Sequence, residues 1–289
     1  VGDALTAASQ NGDIVFGDDI SVPGDLAAHA GGNLRFLGDS ILLGETDIGA
    51  GGTLENGGRM VLGGSLVVDT HGDFVNEGSI EVPGDFRVHA RNIRSNQARS
   101  GGIVATASMT AVADSTVALG SLGEWTAGEG LDLAASHGMS NAGTLRTGGQ
   151  LTYAGGLFGN SGAVAASSID IASDVSNQGS LYADAIHVGG HTGNVGSIVG
   201  GAVQLAGLDN GGTVGGDSLV LGYVGNGGLI RGQVIDIMGG LDNVGTVAAA
   251  VALNVAGGVA NSGDIFGNGI QIQGGQLING GRLQSGGAM

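Results

Sequence analysis

The chain has 289 residues, of which 63 are Gly, two are Pro and none is Cys, and its formal net charge is −17 with Arg supplying every strongly basic group. Glycine at that level with so little Pro, and with no three-residue period, excludes collagen; 42% hydrophobic residues and a positive mean hydropathy exclude a disordered chain. The acidic balance argues against nucleic acid and anionic membranes as partners, and no apolar run approaches the ~20 residues that cross a bilayer.

Residues 1–88 repeat every 20 positions. Gly12-Asp13-Ile14, Gly32-Asn33-Leu34, Gly52-Thr53-Leu54 and Gly72-Asp73-Phe74 mark the period. Ile20-Ser21-Val22-Pro23-Gly24-Asp25-Leu26 returns three periods later as Ile80-Glu81-Val82-Pro83-Gly84-Asp85-Phe86, and both copies run on to His-Ala, at His29-Ala30 and His89-Ala90. Both Val-Pro-Gly-Asp turns are therefore expected on one edge of a repeating structure.

Residues 89–140 interrupt this pattern. Arg87, Arg91, Arg94 and Arg99 gather nearly half of the chain's Arg at its start, and the single Trp, Trp125, follows. An irregular segment with a protruding loop is expected here. Ala105 to Ala118 has a weak helical composition but reads as strands.

Residues 141–289 carry a shorter unit, apolar-x-Asn-x-Gly-x-apolar, first at Met139-Ser140-Asn141-Ala142-Gly143-Thr144-Leu145. It recurs around Asn160, Asn177, Asn194, Asn210, Asn226, Asn243, Asn261 and Asn279, in steps of 16 to 19; Asn56 and Asn76 show it in the first block. Short alternating runs such as Ser218-Leu219-Val220-Leu221 and Ile270-Gln271-Ile272 lie between.

Alternation over three to five residues makes a strand with one buried face. Gly and Asn allow the positive φ of sharp corners. Two or three such strands close one coil, and equivalent positions stack about 4.8 Å apart. The prediction is an all-β parallel β-helix, a solenoid of roughly 16 coils and on the order of 75 Å long. Leu, Ile and Val form inward ladders, and the repeated Asn forms a stacked amide ladder. A helical solenoid would not survive this glycine content, since each Gly costs about 1 kcal/mol in a helix.

The acids are the candidates for chemistry. Residues 1–88 hold 14 acids and three Arg, a net of −11, whereas residues 141–289 hold eight acids and three Arg, a net of −5. Asp18 with Asp19, Asp69 with Asp73, and Asp170 with Asp174 are the carboxylate pairs a polysaccharide-cleaving β-helix would need. The chain lacks Lys, a Gly-His-Gly and an Arg-x-Lys, so these read as turn and surface acids. Gly215-Gly216-Asp217 imitates a calcium-roll turn without its tandem period. His187 and His191 have a metal-ligand spacing across Gly189-Gly190, without the Glu of a zinc protease. His29 and His89 share a repeat position three coils apart. The Arg cluster at 87–99 is expected to pair with the acids of the first block. No catalytic, cofactor-binding or metal-ligating residue is assigned.

The run of units from Asn141-Ala142-Gly143-Thr144-Leu145 to Asn279-Gly280-Gly281-Arg282-Leu283 resembles the repeats of filamentous haemagglutinin exoproteins. These are large Gram-negative proteins of the two-partner secretion route, including adhesins and contact-dependent growth inhibition effectors. The resemblance implies a right-handed β-helix, secreted or at the bacterial cell surface, exported through an outer-membrane transporter, and neither enzymatic nor inserted in the membrane. It implies a shaft that holds a binding or toxin module, with any receptor or glycan contact made elsewhere. Both Pro residues follow Val, so the family's Asn-Pro secretion domain is not expected within this stretch. Val1-Gly2-Asp3 starts close to a coil and Gly286-Gly287-Ala288-Met289 stops in one, which suggests an interior piece of a longer filament. A self-assembling scaffold filament and a carbohydrate-active β-helix are the alternatives.

Overall fold

The computed structural model describes residues 4–287. The expectations attached to Val1 and to Ala288-Met289 lie outside them. Among the described residues there are 32 strands and no helix. The strand pairings are parallel, and the fold is a β-solenoid. The chain divides into two compact units, Val1–Gly156 and Leu157–Met289, which hold about 15 turns between them.

In the first unit a turn consists of three short strands. Leu26–Ala30, Leu34–Phe36 and Ser40–Leu42 make one, and Thr46–Ala50, Leu54–Asn56 and Arg59–Leu62 stack on it. The register follows the sequence period: Leu26 stands on Thr46, Thr46 on Leu66 and Leu66 on Phe86, each one period further along the chain. The two Val-Pro-Gly-Asp turns, immediately before Leu26 and Phe86, thus share one edge. Burial alternates along each strand, so Leu34, Leu54 and Phe74 form one inward ladder. Each such side chain contributes about 1.5–3 kcal/mol by leaving water.

Beyond Phe86 the turns lengthen. Phe86 stands on Met109, and Met109 on Leu131, both spacings longer than the period of the first block. The turns number about 15, in line with the roughly 16 expected. A register shift between Ala90 and Asn92 takes up one extra residue. The Ala-rich stretch 105–118 is strand apart from a bend at residues 106–107, between Gly101–Ala105 and Ser108–Leu119. Trp125 is fully buried in a ladder with Ile103 and Leu145.

In the second unit the strands run longer and bend round corners, as in Ser180–Asn194, Ser197–Asn210 and Thr213–Asn226. Val164, Leu181, Ile198, Val214, Ile230, Val247, Ile265 and Leu283 form an inward ladder. From Leu181 to Leu283 each member lies four positions beyond an Asn of the repeat, Asn177 to Asn279, so ladder and units advance together.

The glycines work differently from the expectation. Among the described glycines only Gly138, Gly155 and Gly275 have positive φ, and Asn96 is the one other described residue that does. Corner glycines are needed because successive turns approach too closely for a Cβ. A Cβ on Gly38 would lie 2.5 Å from the carbonyl carbon of Asp18, and one on Gly196 would lie 2.6 Å from that of Gln178. The bends are made with ordinary backbone angles, and glycine supplies the missing volume.

Candidate functional site

The polar side chains sort into those that tie one turn to the next and those on open surface. The first group starts with the Asn units. In the second unit Asn160, Asn177, Asn194, Asn210, Asn226, Asn243 and Asn261 each donate from Nδ2 to Oδ1 of the next Asn, at 2.7–2.8 Å. Asn56 does the same to Asn76 in the first unit, at 2.8 Å. Most of these amides also donate to the carbonyl two positions on, as Asn194 does to Gly196 at 3.3 Å. An amide is both donor and acceptor, so identical copies satisfy one another in a dry interior, where an unpaired polar group costs about 1–3 kcal/mol. The expected ladder is present.

In the first unit, carboxylates and amides at the corners accept backbone N–H groups one turn away. Asp13 accepts from Asn33 at 2.7 Å, and Asn33 in turn from Thr53 at 2.8 Å. Asp19 accepts from Asp39 at 2.8 Å, Asp39 from Arg59 at 2.9 Å, and Asp25 from Glu45 at 3.0 Å. The backbone and side-chain hydrogen bonds from Asn33 hold the Asp13 carboxyl below its ordinary range.

The carboxylate pairs singled out in the sequence are not brought into facing, free positions. Asp18 is exposed beside Asp19, whose carboxylate is engaged as above. Asp69 meets His89 at 3.3 Å. Asp73, with a side chain only 11% exposed, accepts from Arg91 at 3.0 Å, Asn92 at 2.8 Å and Arg94 at 3.0 Å. Asp170 meets His187 at 2.9 Å, and Asp174 accepts the His191 N–H at 2.8 Å.

The Arg cluster pairs as expected for three of its four members. Arg91 and Arg94 close on Asp73, and Arg87 meets Asp85 at 3.2 Å. Arg99 makes no ion pair among the described residues. Its segment is instead held through the backbone: the N–H groups of Gln97, Ala98 and Arg99 all donate to the Glu77 carboxylate, at 3.0–3.3 Å. Asn96, with φ of 53°, starts this exposed turn. Gln97 lies 20 residues beyond Glu77, one period of the first block, but the role of Glu77 was not legible because residues 92–97 carry no Gly to mark the corner.

The histidines bridge neighbouring turns. His29 meets Asp47 at 3.2 Å, and His89 meets Asp69 and Asp114 on either side. His29 and His89 stand in one column, separated by Gly49 and Asp69. His187 faces Asp170 one turn back, while His191 faces Asp209 one turn on, at 3.0 Å. Asp217 is part of the strand Thr213–Asn226 and accepts from Gln233 at 2.7 Å. Among the described residues no three His, Cys, Asp or Glu side chains form a group that could hold a metal ion, and no helix is long and apolar enough to cross a membrane. No family model, no curated protein and no solved structure matches the chain.

Proposed function

We propose that this chain is a shaft segment of a filamentous haemagglutinin-type exoprotein. It is secreted through an outer-membrane transporter of the two-partner type and stands at the bacterial cell surface, where it holds a distal binding or toxin module away from the cell. One observation carries the reading: the side chains best suited to chemistry are engaged in joining turns. The Asn amides bond to one another, the corner carboxylates take backbone N–H groups, and Asp73 is held by two Arg. Such an arrangement suits stiffness and needs neither catalytic residue nor cofactor. The Asn-x-Gly units and their Gly-rich spacing support the family.

Deleting residues 141–289 from the exoprotein on its native cell should shorten the surface fibre in electron micrographs and leave the chemistry of its tip intact. Unchanged reach would overturn the proposal. Polymers that grow with concentration in sedimentation velocity would favour a self-assembling scaffold instead.

A further inference from the structure

On the second unit an open groove of about 610 Å³ runs across four successive turns. Its floor is one outward column of the sheet, Tyr182, Val199, Gly215 and Arg231, in direct register. Asp184, Asp217 and Gln233 line the adjoining corner. We propose that this groove binds a neutral oligosaccharide, laid along the stacking direction.

Gly215 is the first reason. The neighbouring glycine on the same bend is demanded by packing: a Cβ on Gly216 would lie 2.6 Å from the Gly200 carbonyl oxygen and 2.9 Å from Leu219. A Cβ on Gly215 would meet nothing closer than 3.9 Å. Its φ is not in the left-handed region. Glycine inside a strand weakens it, and the close approach of a ligand is one reason a strand keeps a glycine that its own packing does not require. The missing side chain opens the middle of the floor.

The lining supplies the chemistry. Tyr182 is 60% exposed at one end of the column. A tyrosine ring with an apolar face and a polar tip suits the C–H face of a pyranose. Asp217 and Gln233 hold each other at 2.7 Å, which fixes a carboxylate and an amide side by side. With Asp184 and Arg231 they form a row of planar polar groups, each able to take hydrogen bonds from, or give them to, adjacent hydroxyls. Two carboxylates and one guanidinium make the lining net negative, which disfavours an acidic glycan.

The shape selects an extended ligand. Tyr182 and Arg231 are three strand spacings apart, about 14 Å. A peptide adding as a strand is not suited, because the backbone groups of this sheet are already bonded to the turns on either side. The proposal does not depend on the shaft reading.

The test is a printed array of neutral and acidic oligosaccharides probed with the whole chain, followed by calorimetry on the best binder. Binding to a neutral oligosaccharide is expected. Tyr182→Ala should weaken it about tenfold, and Gly215→Leu should abolish it while leaving the thermal midpoint at or above that of the wild type. Absence of binding to every neutral glycan, preference for an acidic one, or undiminished affinity in Tyr182→Ala would each overturn the proposal. So would retained binding in a folded Gly215→Leu.

Discussion

Asn194 donates from its side-chain amide to Oδ1 of Asn210 at 2.8 Å, inside the core of the second unit. Asn210 repeats the bond toward Asn226 at the same distance and also donates to the Gly212 carbonyl at 3.2 Å. Replacing Asn210 by Leu strands a donor on one side and an acceptor on the other. The loss should be about 3 kcal/mol, read as a lower urea midpoint by circular dichroism. Asn210→Asp should lose more, because the carboxylate cannot donate to Asn226 and places a charge in a dry site. A loss below that of an exposed control such as Gln178→Ala would show that the ladder contributes nothing.

Asp73 anchors the start of the irregular segment. Burial pushes its carboxyl up, but hydrogen bonds from Asn92 and Arg91 and the charges of Arg91 and Arg94 outweigh this and hold it below the ordinary 3.8. Its stabilisation is therefore complete above pH 3.8 and is lost as pH falls through the lowered folded value. Asp73→Ala should cost about 2 kcal/mol at neutral pH, and the gap between variant and wild type should close in strong acid. A gap independent of pH would contradict the pairing.

His89 behaves with the opposite sign. The hydrogen bond to Asp114 raises its pKa above 6.5; burial opposes the rise, and Asp69 adds to it. The stabilisation is full below pH 6.5 and is lost as pH rises through the raised folded value. An NMR titration of the His89 ring should show a midpoint above 6.5, and Asp114→Asn should bring it down. A midpoint unmoved by that substitution would refute the contact.

Two glycines separate close approach from mere tolerance. A Cβ on Gly222 would run into the Ala206 carbonyl, whereas one on Gly64 would meet nothing within 4 Å. Gly222→Ala should lose about 2–3 kcal/mol. Gly64→Ala should gain about 0.4–1 kcal/mol by restricting the unfolded chain. Equal effects in thermal unfolding would mean that glycine serves both corners alike.

Trp125 gives the first unit its own reporter. It is the single Trp of the chain and is fully buried. Its fluorescence should be blue-shifted, resist quenching by iodide, and move to the red when the unit unfolds. Emission typical of water in the native protein would place it outside the ladder.

In a solenoid, a residue and its contact are separated by the period, so a constant period writes the tertiary contacts into the sequence. That is why the Leu34, Leu54, Phe74 ladder, the Asn160 to Asn279 ladder and the shared column of His29 and His89 were legible. Where the period changes the offset is lost. The longer turns after Phe86 hid the column of Ile103, Trp125 and Leu145, while Glu77 keeps the 20-residue offset to Gln97 but has no Gly to mark that corner. The sequence by itself determined the strands, the coil lengths wherever the repeat holds, the inward ladders and the sign of the surface charge, because these follow from alternation and repetition alone. Only the tertiary structure decided that both Arg91 and Arg94 close on Asp73, that corner glycines serve close approach rather than positive φ, and that Gly215 has room it does not use. Each of these depends on how far apart two turns lie in space, a distance that side-chain volume and backbone bend set together and that no single position in the repeat records.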